Sequence, residues 1–174
     1  MTADFNAHDA IRALYPRLWR FCLATTGSRV NADDLAQTAC LRALERIHQF
    51  NPGTAFDAWV FRISKHVWIN ELRANAVRRG GGLVAIEDAE PADRDHTPES
   101  NLSGSEVLDT LMQLPEAQRV TAYLAYVEGY SYKETASMLD IPIGTVMSRL
   151  SAARKRLSAH LRADYPAAQA GQPT

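Results

Sequence analysis

The sequence has few cysteines and no long apolar run. Only two of its 174 residues are cysteine, Cys22 and Cys40. Two are too few for a disulfide scaffold and fit a reducing compartment. No apolar run approaches the roughly 20 residues that a membrane-spanning helix needs, and the N-terminus lacks the apolar segment of a signal peptide. We therefore expect a cytoplasmic protein that does not insert into a membrane.

The usual signs of a catalytic or metal site are also missing. The five histidines are scattered without a neighbouring nucleophile, and no spacing matches a zinc cluster or a phosphate-binding loop. We expect no enzyme activity, no catalytic residue, no metal and no cofactor. Cys22 and Cys40 lie on apolar helix stripes, which predicts buried free thiols.

The net charge of −1 hides a strong segregation of charge along the chain. Residues 1–80 carry 11 basic and 7 acidic side chains, residues 81–116 carry 1 and 9, and residues 117–174 carry 7 and 4. Two basic blocks around an acidic one suggest two modules that meet a polyanion. Nucleic acid is the first polyanion to consider.

Apolar residues recur at three- and four-residue steps, and no stretch alternates with period two for long enough to be a strand. In the first half the pattern predicts a helix from Ala7 to Thr25. A second helix is predicted from the N-cap pattern of Asn31 followed three residues later by Asp34. A third helix, which Thr54 and Asp57 can cap, runs towards Arg78. The third helix is apolar on more than one side. We expect Phe56 and Trp59 to be buried, whereas for Phe61 and Trp68 burial and a nucleic-acid face remain equally open.

The second half is separated from the first by glycines, prolines and acids, which predict a flexible linker. Beyond it, Pro115 can open a helix, Ser131 and Glu134 form a capping-box pattern, and a last helix runs from about Ile143 to Leu161. We therefore predict an all-α protein with two small helical domains, residues 1–80 and 102–162, joined by a flexible acidic linker at 81–101. A disordered tail is expected at 163–174.

The last two predicted helices form a helix-turn-helix, in which the second helix enters the major groove of DNA. One face of that helix is an apolar stripe, and the other carries small polar residues flanked by arginines. Between Ile141 and Ala163 there are five basic residues and no acid. Guanidinium groups beside a small polar face suit phosphates on either side of a groove. The pattern predicts DNA contact by this helix.

A resemblance to a known family is carried by four segments: NADDLAQTACLRAL, FDAWVFRISKHVWINELR, LPEAQR and VEGYSYKETASMLDIPIGTVMSRLSAARKRL. In order and spacing they resemble extracytoplasmic-function sigma factors, which are initiation subunits of bacterial RNA polymerase. The resemblance implies that the N-terminal domain binds core RNA polymerase and opens the minus-ten element, and that the C-terminal domain binds the minus-thirty-five element. It also implies promoter DNA and an anti-sigma factor as partners.

The resemblance further implies three sets of site residues. Core polymerase is expected to bind Asp34, Gln37 and Arg42. Minus-ten DNA is expected to contact Gln49, Phe50, Asn51, Thr54, Arg62, Lys65 and His66. Minus-thirty-five DNA is expected to contact Thr145, Met147, Ser148, Arg149, Ser151, Arg154 and Lys155.

Two other classes of protein stay open at this point. A sigma-like decoy would bind an anti-sigma factor but no DNA, and it would be expected to lose the basic residues of its last helix. A plain helix-turn-helix regulator would normally bring a dimerisation or ligand domain in place of the first module. The sequence also leaves open how the two domains are arranged in the free protein.

Overall fold

The computed structural model describes residues 6–79 and 108–164, and within these two ranges the chain is helical and contains no strand. The first range holds α1 (Ala7–Thr26), α2 (Arg29–Glu45), a short 3₁₀ turn (Ile47–Gln49) and α3 (Phe56–Arg78). The second holds a helical turn at 108–111, then α4 (Glu116–Ala122), a π-helical turn (Tyr123–Val127), α5 (Tyr132–Leu139) and α6 (Ile143–Asp164). The all-α prediction is confirmed. The predicted linker lies outside the described residues, and so does the predicted tail except for its first two residues, which are the end of α6.

Two predicted helix starts are wrong, because neighbouring residues provide the N-cap. Helix α2 begins earlier than expected, since Ser28 has an extended backbone and its hydroxyl accepts a hydrogen bond from the Asn31 amide (3.5 Å). Helix α3 has Ala55 at its N-cap and no side-chain cap. The Thr54 hydroxyl donates instead to the Asn51 carbonyl (2.8 Å), so it closes the preceding turn.

The helix-turn-helix forms as the sequence predicts. Ser131 and Glu134 make a reciprocal capping box at the start of α5, which satisfies two backbone amides. Helix α5 ends at Asp140, whose positive φ of 55° turns the chain towards α6. On α6 the expected apolar stripe is buried at Val146, Leu150 and Ala153. The opposite face of α6 is therefore held outward.

The two halves of the chain share one buried core. Phe21 of α1 stacks on Phe61 of α3 with ring centroids 4.8 Å apart, and its ring lies 6.1 Å from that of Tyr123 in the second half. Phe61 is 1% exposed and also meets the edge of Tyr130 (6.4 Å). Of the two possibilities for Phe61, the structure shows burial. Helix α1 therefore packs both against α3 of its own half and against the second half of the chain.

Arg119 of α4 is the polar anchor between the halves. The side chain is only 2% exposed. Its guanidinium donates to the carbonyls of Ala24 and Thr25 in the last turn of α1 and to Leu114 (3.0 Å). The last carbonyls of a helix have no partner within the helix and carry partial negative charge, so a cation satisfies them well. Gly27 ends α1 with φ of 73°, and a Cβ there would lie 3.2 Å from the guanidinium.

We predict that Arg119→Ala lowers the free energy of unfolding by about 3 kcal/mol, because it leaves buried carbonyls unpaired and opens a cavity. Chemical denaturation followed by tryptophan fluorescence measures this, since all three tryptophans lie in the first half. Arg12→Ala, which removes an exposed arginine from α1, is the matched control. Equal stability of the two variants would contradict the anchoring role of Arg119.

Candidate protein and nucleic-acid interfaces

Helix α2 presents a mixed polar and apolar stripe to solvent. Asp34 and Gln37, both predicted site residues, are exposed there. Val30 and Leu41, which are 71% and 62% exposed, fall at the same helical spacing on either side of them. We name Val30, Asp34, Gln37 and Leu41 the α2 stripe. Arg42 lies beside it, exposed and paired with Glu45 within the helix (3.0 Å).

Two members of the α2 stripe were missed from the sequence. Val30 and Leu41 lie off the apolar core stripe of α2, and that displacement was the signal available for them. Large exposed aliphatic residues beside polar ones are typical of a protein interface.

Helix α3 adds an acidic group near this surface. Partial burial of Glu71 raises the pKa of its carboxyl, and the nearby charge of Asp34 raises it further. Two carboxylates that repel each other favour a cationic partner between them. The surface around the α2 stripe therefore combines exposed aliphatic groups with two acidic side chains.

The loop that follows α2 is anchored by aromatic rings. Phe50 is buried, and its ring lies 5.2 Å from that of Phe56 and 5.3 Å from that of Trp59. Gln49, Asn51 and Thr54 are exposed around it. The Asn51 side chain accepts from the Gly53 amide (3.0 Å), which holds the tip of the loop. Of the four predicted loop residues, three face solvent and Phe50 packs inward.

The three predicted basic residues of α3, Arg62, Lys65 and His66, form what we name the α3 basic row. Arg62 and His66 are exposed, and the Lys65 side chain is largely buried. Two of the three contact the second half of the chain. Arg62 donates to the Ser137 hydroxyl (3.1 Å), and Lys65 pairs with Glu116 (3.4 Å).

The outward face of α6 contains the last set of predicted residues. Met147 is 54% exposed, and Ser148, Arg154 and Lys155 are also exposed. Thr145, Arg149 and Ser151 are half-buried. Ser148 donates its hydroxyl hydrogen to the Thr145 carbonyl (3.0 Å), which fixes its side chain on the first turns of the helix. All seven residues lie on one helix, and the structure brings the cationic ones beside the small polar face.

A second exposed apolar group, which the sequence analysis did not identify, lies just before α5. Tyr126 and Val127 both expose more than two fifths of their surface. They lie at the end of the π-helical turn, in which the Glu128 amide bonds to the Tyr123 carbonyl five residues back (3.0 Å). An added residue per turn shifts the residues after it off the regular helical face. Nothing in the sequence pattern signals that shift.

Within the described residues no helix is long and apolar enough to cross a bilayer.

Comparison with known proteins agrees with this geometry. Residues 10–78 match the family model for sigma-70 region 2, and residues 105–157 match that for sigma-70 region 4. The ECF RNA polymerase sigma factor EcfG of Rhodopseudomonas palustris is 33% identical, over 91% of this chain and 87% of that protein. The ECF RNA polymerase sigma-E factor of Haemophilus influenzae is 35% identical, over 88% of this chain and 87% of that protein.

A solved structure shows the same fold. The sigma factor RpoE of Bartonella quintana, in a complex with the anti-sigma factor NepR, superposes with a TM-score of 0.69 and is 25% identical; the match covers 90% of this chain and 97% of that one. The helices, the placement of the two matched regions and the identity over nearly the whole length lead to one conclusion: the chain belongs to the extracytoplasmic-function family of RNA polymerase sigma factors.

Proposed function

We propose that this alternative sigma factor uses three separate surfaces to bring core RNA polymerase to promoters. The α2 stripe with Arg42 binds the polymerase, the 49–55 loop and the α3 basic row bind minus-ten DNA, and the outward face of α6 binds minus-thirty-five DNA. The observation that carries the proposal is the α6 face, where Arg154 and Lys155 are exposed beside Ser148 while the opposite stripe is buried. Such a face fits a major groove with phosphates along its edges.

Each surface has the chemistry that its partner requires. A protein interface gains most from apolar groups such as Val30 and Leu41 with a few polar contacts beside them. The exposed tip of the 49–55 loop offers amide and hydroxyl groups, which can bond the edges of an unstacked base. The exposed thioether of Met147 suits contact with a thymine methyl group in the major groove.

The chain acts as an initiation factor and has no catalytic centre of its own. It acts in the cytoplasm, where RNA polymerase and promoter DNA are found. Membership of a family of transcription initiation factors supports both statements. Control by an anti-sigma factor is supported by the similar RpoE protein, which was solved together with NepR.

The two rival classes are less well supported. A decoy that binds no DNA has no need of exposed cations on α6, yet Arg154 and Lys155 are presented to solvent. A plain helix-turn-helix regulator has no need of the α2 stripe. Transcription with reconstituted core polymerase on a promoter library separates all three classes. Only a sigma factor yields polymerase-dependent transcripts from selected promoters.

We predict that Asp34→Lys weakens binding to core polymerase at least tenfold, because it places a cation where the surface is built to receive one. Leu41→Ala should weaken it less, by removing apolar contact area. Pull-down with core enzyme measures both, and thermal melting checks that the fold is unchanged. Asp109→Lys, a reversal at an exposed acid of the second half, is the matched control. Undiminished binding of Asp34→Lys at an unchanged melting temperature would remove α2 from the interface.

We predict that the two kinds of α6 residue behave differently on DNA. Arg154→Ala should weaken all promoters alike and reduce the salt dependence of log K by about one unit, as expected for one phosphate contact. Ser148→Ala should instead change the ranking of minus-thirty-five variants, because the residue lies near the helix start, where recognition helices meet base edges.

The measurement is holoenzyme binding to a promoter-variant panel at several salt concentrations, with Arg12→Ala as the control for loss of a positive charge. If Arg154→Ala keeps the full salt dependence and Ser148→Ala keeps the ranking, α6 is not the helix that reads the promoter.

A further inference from the structure

The two halves of the chain are joined by charged contacts around their shared core. Arg17 of α1 donates to Glu128 of the second half through Nε (2.8 Å) and to Asp57 at the start of α3 (2.8 Å). Tyr123 donates to the other oxygen of Glu128 (2.8 Å). Glu128 is nearly fully buried. One cation of the first half is therefore shared between an acid of its own half and an acid of the second.

Electrostatics within this group favour the charged form of Asp57. Burial alone would raise the pKa of Asp57, but the neighbouring Tyr130 hydroxyl and the Arg17 guanidinium outweigh it and hold that pKa below its ordinary value. A carboxyl with a lowered pKa stabilises the folded state at neutral pH, and this contribution is lost as the pH falls through the lowered pKa. The Arg17–Asp57 pair is therefore intact at neutral pH, and it holds Arg17 in position to bind Glu128.

A second set of contacts lies directly on the α3 basic row. Lys65 pairs with Glu116 at the first turn of α4, and both side chains are more than four fifths buried. Arg62 donates to Ser137 on α5. An acid and a hydroxyl of the second half therefore occupy positions on the first half where, under the proposed function, DNA phosphates and bases bind.

We propose that the second half of the chain is an intramolecular competitor for the minus-ten surface. In the free protein Glu116 pairs with Lys65, and Ser137 accepts a hydrogen bond from Arg62. The α3 basic row becomes available to DNA only when the two halves separate. The inference rests on the proposed function for the identity of the ligand. The closed arrangement of the two halves is inferred only from the Lys65–Glu116 and Arg62–Ser137 contacts.

The fraction of molecules in the open state sets how much DNA binding is weakened. When only a fraction of molecules is competent to bind, the apparent dissociation constant rises by the inverse of that fraction, so an open population of about one in ten weakens binding about tenfold. A variant that is fully open can therefore gain at most this factor in DNA affinity over the wild type. Salt should also weaken the closed state, because Arg17, which pairs with Glu128 of the second half, is 39% exposed and its ion pair is partly screened.

The test uses the free full-length chain and two surface variants that act in opposite directions. Glu116→Lys places a cation against Lys65 and should open the chain. Ser137→Glu places a carboxylate against Arg62 and should close it more firmly. Small-angle scattering across a salt series measures compactness. We expect expansion to occur at lower salt than in the wild type for Glu116→Lys and at higher salt for Ser137→Glu.

Binding of fluorescent single-stranded DNA of random sequence provides the second readout. Glu116→Lys should bind several-fold more tightly than Glu45→Lys, which makes the same charge change on α2, away from the contact between the halves. Adding Arg62→Ala should abolish that extra gain, because the gain acts through the α3 basic row.

Unchanged compactness in both surface variants would overturn the proposal, and so would expansion of Glu116→Lys without a gain in DNA binding beyond the control. Failure of the wild-type chain to support polymerase-dependent transcription would count against the proposed function alone. Opposite shifts of the two variants in scattering, together with an Arg62-dependent gain in DNA binding, would establish the competition.

Discussion

The buried guanidinium of Arg119 is the contact on which the arrangement of the two halves depends. It satisfies the last carbonyls of α1, which otherwise would be buried without a partner. Because those carbonyls belong to the first half and Arg119 to the second, one side chain fixes both the end of a helix and the position of α4. The core formed around Phe21 and Phe61 then closes over this junction.

The boundary between the halves combines an aromatic centre with a charged rim. Its centre is aromatic, with Phe61 against Tyr130, and its rim carries the Arg17–Glu128 and Lys65–Glu116 pairs. An apolar centre with a polar rim is usual for contacts between domains within a chain, which are more polar than permanent interfaces. The fold thus gives the two regions of a small chain one shared packed core.

The sequence allowed the local features to be predicted and not the distant ones. The Ser131 capping box and the buried stripe of α6 follow from residues a few positions apart, and both are confirmed. Arg119 could not be predicted as an anchor, since its partner Ala24 lies 95 residues away and a buried arginine leaves no periodic signal. The same holds for the contact between Arg62 and Ser137.

The candidate surfaces show a similar division. Polar residues such as Asp34 and Ser148 are exposed, as helical periodicity already indicates. Leu41 was missed because an apolar residue is ordinarily assigned to the core. The π-helical turn before Glu128 was missed because no residue pattern in the sequence marks it.

The aromatic group formed by Phe50, Phe56 and Trp59 has a consequence for how the 49–55 loop can bind. A loop that is mobile when free loses conformational entropy on binding, and that loss reduces the affinity. Here the loop is fixed at its base by the ring contacts of Phe50 with Phe56 and Trp59, and its tip is closed by the hydrogen bonds of Asn51 with Gly53 and Thr54. Under the proposed function its contacts with DNA are therefore offset by only a small cost of ordering, and a modest number of hydrogen bonds can suffice to hold one base.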